Sequence, residues 1–183
     1  MAQLLFTGIR CRKDAQTDIA FLTIIVRKPD EDNWKKLRRL LGYLKRTIKL
    51  PLMLRADVVN VLKWRVDPSY AAHDEIRGHT VGTMSTVKDE RGSIISISKK
   101  QQLNTKTSVE AELIGADDAM PQMLWTRYLL EAQGYGIEEN ILYQDNMSAM
   151  LLENNGKKSS TKIQNISTFD IISKRIGKRP GTR

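Results

Sequence analysis

The spacing of apolar residues changes once along this chain, and that change restricts the fold more than any other feature. Up to Leu50-Pro51 apolar side chains recur at helical intervals; from Val58 onward they fall in short β-branched runs separated by turn residues. Residues 14–28 read as a helix with an apolar run from Ile19 to Val26, stopped by Pro29. Asp30-Glu31-Asp32 suit the positive end of a second helix. Trp34, Leu37, Leu40, Leu41 and Leu44 fall on one face of it, and Lys35, Lys36, Arg38, Arg39, Lys45 and Arg46 fill the remainder. An apolar stripe backed by cations suits a helix that packs inward and meets either water or a polyanion outward. The boundary between the two parts is expected within residues 50–58.

The second part opens with a strand over 58–66, whose packing set is Val59, Leu62, Trp64 and Val66 and which ends in Asp67. Gly82–Val87 and Ser93–Ser98 alternate around Lys88-Asp89-Glu90-Arg91-Gly92, the pattern of a hairpin. Ser108, as N-cap, opens a helix to Ala119, and Pro121 the first turn of another to about Gln133. Ile141-Leu142-Tyr143-Gln144 is a short strand that delivers Asp145, with a short helix to about Glu153. Strand, hairpin, helices, strand and helix in that order predict an α/β fold with a mixed sheet flanked by helices and preceded by a small helical segment.

A chain of 183 residues with 40% apolar content can bury one core and a small appended unit. No apolar run is long enough to span a bilayer, and Met1-Ala2-Gln3 does not open a signal peptide, so an intracellular setting, cytoplasm or nucleus, is expected. Cys11, the one cysteine, excludes a disulfide framework and a cysteine zinc site, and reads as a small buried or half-buried side chain. The net charge of +9 favours polyanionic partners, nucleic acid among them.

Three acids stand where such a fold gathers side chains: Asp67 at the end of the first strand, Glu112 one turn into the helix, Asp145 at the end of the later strand. Clustered carboxylates need a divalent cation to offset their repulsion, and hard oxygen donors select magnesium or manganese. Two such ions about 4 Å apart can activate water and stabilise the leaving oxygen of a phosphodiester. Asp117 and Asp118 read as a solvated face, and His73 and His79 as surface residues.

Four motifs then carry a resemblance. Trp64-Arg65-Val66-Asp67-Pro68-Ser69-Tyr70-Ala71 resembles the "W-x-V-D-A-S-Y-A" opening of the RNase H domain of copia-type LTR retrotransposons. Ser96-Ile97-Ser98-Lys99-Lys100-Gln101 resembles its "S-x-S-x-K-Q" strand. Thr107-Ser108-Val109-Glu110-Ala111-Glu112 resembles its "S-S-T-E-A-E" helix start, and Tyr143-Gln144-Asp145-Asn146-Met147-Ser148-Ala149 its "x-x-D-N-x-S-A" strand end. The likeness runs over about residues 3–162, with residues 14–54 similar to the final helical part of a reverse transcriptase. It implies an RNase H-like domain over 58–162 after a thumb or connection remnant over 1–57, as part of a polyprotein whose reverse transcriptase would be a partner. It also implies Asp67, Glu112 and Asp145 as catalytic, metal-binding acids holding two Mg2+ or Mn2+ ions. Glu112 is preferred to Glu110 because it directly precedes an apolar pair and a small residue. Asn146 and Ser148 would contact an RNA–DNA hybrid or orient Asp145; Lys35, Arg38, Arg39, Lys99 and Lys100 would hold its phosphates.

The likeness stops after Lys162. The family continues with "N-T-K-H-I-N-I-R-Y-F-F", whereas this chain reads Ile163-Gln164-Asn165-Ile166-Ser167-Thr168-Phe169-Asp170-Ile171-Ile172. One base restored to a run of A after the Lys162 codon can turn this stretch into K-N-T-K-H-I-N-I-R-Y-Y-F. Residues 163–183 are therefore read as a degenerate basic tail produced by a frameshift, an idea the coding DNA tests directly. Pro68 also replaces the family's small residue. The expected function is RNase H-type hydrolysis of the RNA strand of RNA–DNA hybrids, weak or absent if the last segment is lost. The alternative is a non-catalytic nucleic-acid-binding relic. A transposase or integrase is disfavoured because the motifs match RNase H in detail, and no polymerase motif is present.

Overall fold

The computed structural model describes residues 1–54, 60–73, 76–86, 92–149, 151 and 172–175. Three helices come first: α1 (Ala2–Arg10), α2 (Gln16–Ile24) and α3 (Glu31–Arg46), with a single 3₁₀ turn at Lys13–Ala15. Asp30 caps α3 through Asn33 N–H, and Glu31 and Asp32 fill its first turn as expected. Ala15, Ile19, Leu22 and Leu40 form a small core with Leu37, Tyr43 and Leu44 against it. Trp34 and Leu41 stay exposed, because the short α1 and α2 cover only part of the α3 stripe. Arg12 locks the unit: its guanidinium forks onto Asp14 at 2.8 and 3.0 Å and reaches Thr47 O at 3.1 Å, while Tyr43 donates to Asp14 at 2.7 Å. That guanidinium holds the Asp14 carboxyl down to about 2. Cys11 is exposed, not buried as expected.

The second part is a five-stranded mixed sheet in the order β3-β2-β1-β4-β5. Its strands are β1 (Val61–Ser69), β2 (Arg77–Ser85), β3 (Ile95–Asn104), β4 (Glu139–Gln144) and β5 (Ile172–Arg175). β1 pairs antiparallel with β2 and parallel with β4; β5 extends the parallel side from within the stretch read as a tail. The hairpin is present, with residues 87–91 of its turn outside the described residues, as is Val59 of the expected packing set.

One helix, α4 (Ser108–Ala132), covers one face, where two were expected. Pro121 sits inside it; the hydrogen bond it removes would have ended on the carbonyl of Asp117, a residue on the exposed side of the helix. The N-cap is Thr107, one residue before the expected Ser108. Its hydroxyl accepts from Glu110 N–H, and Glu110 accepts in return from Lys106 N–H at 2.7 Å, a variant of the capping box. Leu62, Trp64, Val66, Met84, Ala116, Ala119, Met123, Ile137 and Leu142 make the core between α4 and the sheet.

The helical unit docks on the other face. Gln16 of α2 exchanges hydrogen bonds with Ser96 of β3, Lys13 donates to Ile94 O, and Phe21 stacks on His79 and His73 with ring centroids 4.4 and 4.8 Å apart. His79 is therefore buried (1% exposed), contrary to the surface position expected for it. Both ring nitrogens have partners, Ser98 Oγ at 2.8 Å and His73 Nε2 at 3.1 Å. Burial, then the neighbouring His73, push its pKa down to about 4. No helix among the described residues is long and apolar enough to cross a membrane.

Candidate active site

Asp67, near the end of β1, and Asp145, just after β4, are brought close by the pairing of those two strands. The parallel register runs from Val61↔Glu139 to Arg65↔Tyr143, and Asp67 and Asp145 each come two residues after that last pair. They are near enough for the charge of Asp145 to act on Asp67. β1 does not end at Asp67 as expected but runs on through Pro68 to Ser69, paired there with β2 alone. Asp67 is exposed at its tip. Even so, the surrounding chain desolvates it and the Asp145 charge adds to the effect, and both raise its pKa above the ordinary carboxylate value.

Glu112 approaches from elsewhere. Along β1 burial alternates strictly, with Leu62, Trp64, Val66 and Pro68 toward α4 and Asp67 on the opposite face. Glu112 belongs to α4, half-buried, with Oε2 withdrawn from water. Glu110 is spent on the helix cap. Between them α4 touches β1 closely: a Cβ on Gly115 would press into the Pro68 ring at Cγ. Pro68 is accordingly a buried packing residue under the helix. Among the described residues no three His, Cys, Asp or Glu side chains form a metal-holding group. The structure brings two of the three expected acids together and leaves the third on the helix side.

Buried amides shape the turns that carry these acids. Gln101, fully buried on β3, donates to Ala111 O at 2.9 Å and to Thr80 Oγ1 at 3.1 Å, fixing the first turn of α4 next to Glu112. Thr80 in turn donates to Asp118 at 2.9 Å, and Lys99 pairs with Asp118 at 2.8 Å. Asp118 therefore ties α4 to β2 and β3 and is not the solvated acid expected; Asp117 is exposed as expected. Gln144, also fully buried, accepts from the amides of Asp145 and Asn146 at 2.9 and 3.2 Å. Asn146 Oδ1 accepts from the amides of Ser148 and Ala149, capping the helical residues 147–149.

The expected nucleic-acid contacts divide. Lys35, Arg38 and Arg39 are exposed on α3, with Lys35 3.2 Å from Asp32. Lys99 and Lys100, adjacent on β3, point to opposite faces of the sheet and cannot serve one surface together. Lys99 is engaged with Asp118. The Asn146 carbonyl faces backbone amides, and Ser148 is exposed. The polar ties of His79 and Asp118 were missed in the sequence because their partners lie on elements distant along the chain.

No protein-family model matches the chain. Over 155 residues, 85% of its length, it is 24% identical to the retrovirus-related Pol polyprotein from transposon TNT 1-94 of Nicotiana tabacum; the match spans 11% of that polyprotein. The chain is thus similar to one short stretch of a retrotransposon polyprotein. The catalytic domain of human endonuclease V aligns with 64% of this chain and 48% of its own at 16% identity, with a TM-score of 0.28, too slight a likeness to build on.

Proposed function

We propose that this chain is the RNase H-type nuclease region of a copia-type retrotransposon polyprotein, directed at the RNA strand of RNA–DNA hybrids. The observation that supports the reading is the parallel pairing of β1 with β4, which brings Asp67 near enough to Asp145 for their charges to interact. Two neighbouring carboxylates, with the charge of Asp145 adding to desolvation in raising the pKa of Asp67, are a donor set suited to a hard divalent cation, Mg2+ or Mn2+. Asp67 and Asp145 would hold one such ion, with Glu112 needed beside them for the two-ion arrangement. When bound, the cation supplies charge neutralisation at the phosphodiester and a more acidic water. Asp67 and Asp145 also repel a phosphate when no cation is present, so substrate binding depends on loading. The exposed Lys35, Arg38 and Arg39 of α3 give the protein a cationic face for the backbone of a hybrid.

Purified protein incubated with a labelled RNA–DNA hybrid and Mg2+ or Mn2+ tests the reading. The expected result is slow, metal-dependent cleavage of the RNA strand that disappears in Asp145→Asn. A second reading, a nucleic-acid-binding relic without catalysis, is favoured by one observation, the position of Glu112 on the helix side of the sheet. Salt-sensitive hybrid binding with no cleavage in either metal would establish that reading in place of the first.

A further inference from the structure

β4 ends at Gln144, and its pairing with β1 ends one residue earlier, at Arg65↔Tyr143. On that side the ladder no longer constrains the chain where it carries Asp145. Gln144 takes over: its Oε1 accepts from the amides of both Asp145 and Asn146, at 2.9 and 3.2 Å. The side chain is completely buried, and its Nε2 has no hydrogen-bond partner among the described residues. A buried amide with its donor end unmet is costly, and an apolar residue would fill the same space without that cost. Packing alone therefore does not explain a glutamine here; its oxygen does. Immediately beyond, Asn146 Oδ1 holds the amides of Ser148 and Ala149, so Asp145 sits between two side-chain-pinned turns.

We propose that Gln144 is the positioning residue of the site: its carbonyl fixes the turn that presents the Asp145 carboxylate beside Asp67. That Asp145 has a cation to hold rests on the function proposed above; that Gln144 fixes its turn does not. Gln144→Leu removes the acceptor at similar volume, and Gln144→Glu keeps an oxygen at the same reach. Both are compared with the wild-type full chain by amide hydrogen exchange and by Mn2+ titration followed by water-proton relaxation. In Gln144→Leu the amides of 145 and 146 are expected to exchange about tenfold faster, equivalent to one net hydrogen bond, and those of 148 and 149 to change less. Mn2+ affinity falls with them. Gln144→Glu retains protection at 145 and 146, which a general loss of packing would not allow. Wild-type exchange at these two amides in Gln144→Leu, or loss of protection in Gln144→Glu while the fold persists, overturns the proposal. If wild-type protein binds no Mn2+, the cation reading fails, and the exchange rates still decide the role of Gln144.

Discussion

At Asp67 desolvation and the Asp145 charge act in the same direction, so the folded chain holds this proton to a higher pH than the unfolded chain does. The stability linked to that proton is present at low pH and lost as pH rises through the raised pKa. At neutral pH, without divalent cation, Asp145→Asn should therefore stabilise the protein, by at most about 1 kcal/mol because water screens the pair. Urea denaturation in a chelating buffer measures this, and a destabilised variant would contradict it. Gly115 offers a sharper test. A methyl group there meets the rigid Pro68 ring, so Gly115→Ala should cost about 1–3 kcal/mol despite the helix position. Pro68→Ala, which removes Cγ and Cδ, should recover part of that loss in the double variant; strict additivity in denaturant melts would refute the contact. Asp67 and Asp145 were picked out among the acids chiefly by the motifs around them, since the strand end expected at Asp67 lies two residues further on, at Ser69. Asp118 was not: Thr80 and Lys99, which bury it, are brought in by the sheet.

Between elements, the joint of α2 with the sheet carries its own pH dependence. His79 is buried neutral with a pKa of about 4, against an ordinary 6.5. The unfolded chain takes up a proton that the folded one refuses, so stability falls as pH drops from about 6.5 to about 4, by on the order of 2 kcal/mol. Phe21→Ala, which uncovers the ring, should flatten that slope while lowering stability near neutrality; an unchanged slope would mean that α2 does not enclose His79. The strongly periodic α3 was recognised from the acids at its start and its apolar stripe, though its last residue, Arg46, was not marked in the sequence. The break expected in α4 did not occur: Pro121 costs one backbone donor, and the packing of the helix along the sheet outweighs that local signal. The packing of α2 on β3 was invisible for a different reason, because periodicity shows which face of a helix is apolar but not what covers it.

For the molecule as a whole, a net charge of +9 predicts binding to nucleic acid that weakens steeply with salt. Replacing Arg38 and Arg39 by alanine should reduce the slope of log affinity against log salt by about one for each phosphate that is no longer neutralised. Fluorescence anisotropy with a labelled hybrid reads this, and an unchanged slope would remove α3 from the interface. The mixed α/β order was plain from the succession of patterns, whereas β5 was not, since residues 172–175 have no pattern that singles them out from the stretch around them. The in-line register of β1 and β4 has a last consequence, historical rather than chemical. Because β1 and the turn after β4 hold the two acids near one another, their repulsion is relieved by a cation, by a proton on Asp67 or by the loss of one of them. A copy of this sequence released from any need for a cation gains by that loss. Among related sequences that have lost the activity proposed above, then, substitutions at Asp67 or Asp145 should accumulate ahead of those at neighbouring strand positions.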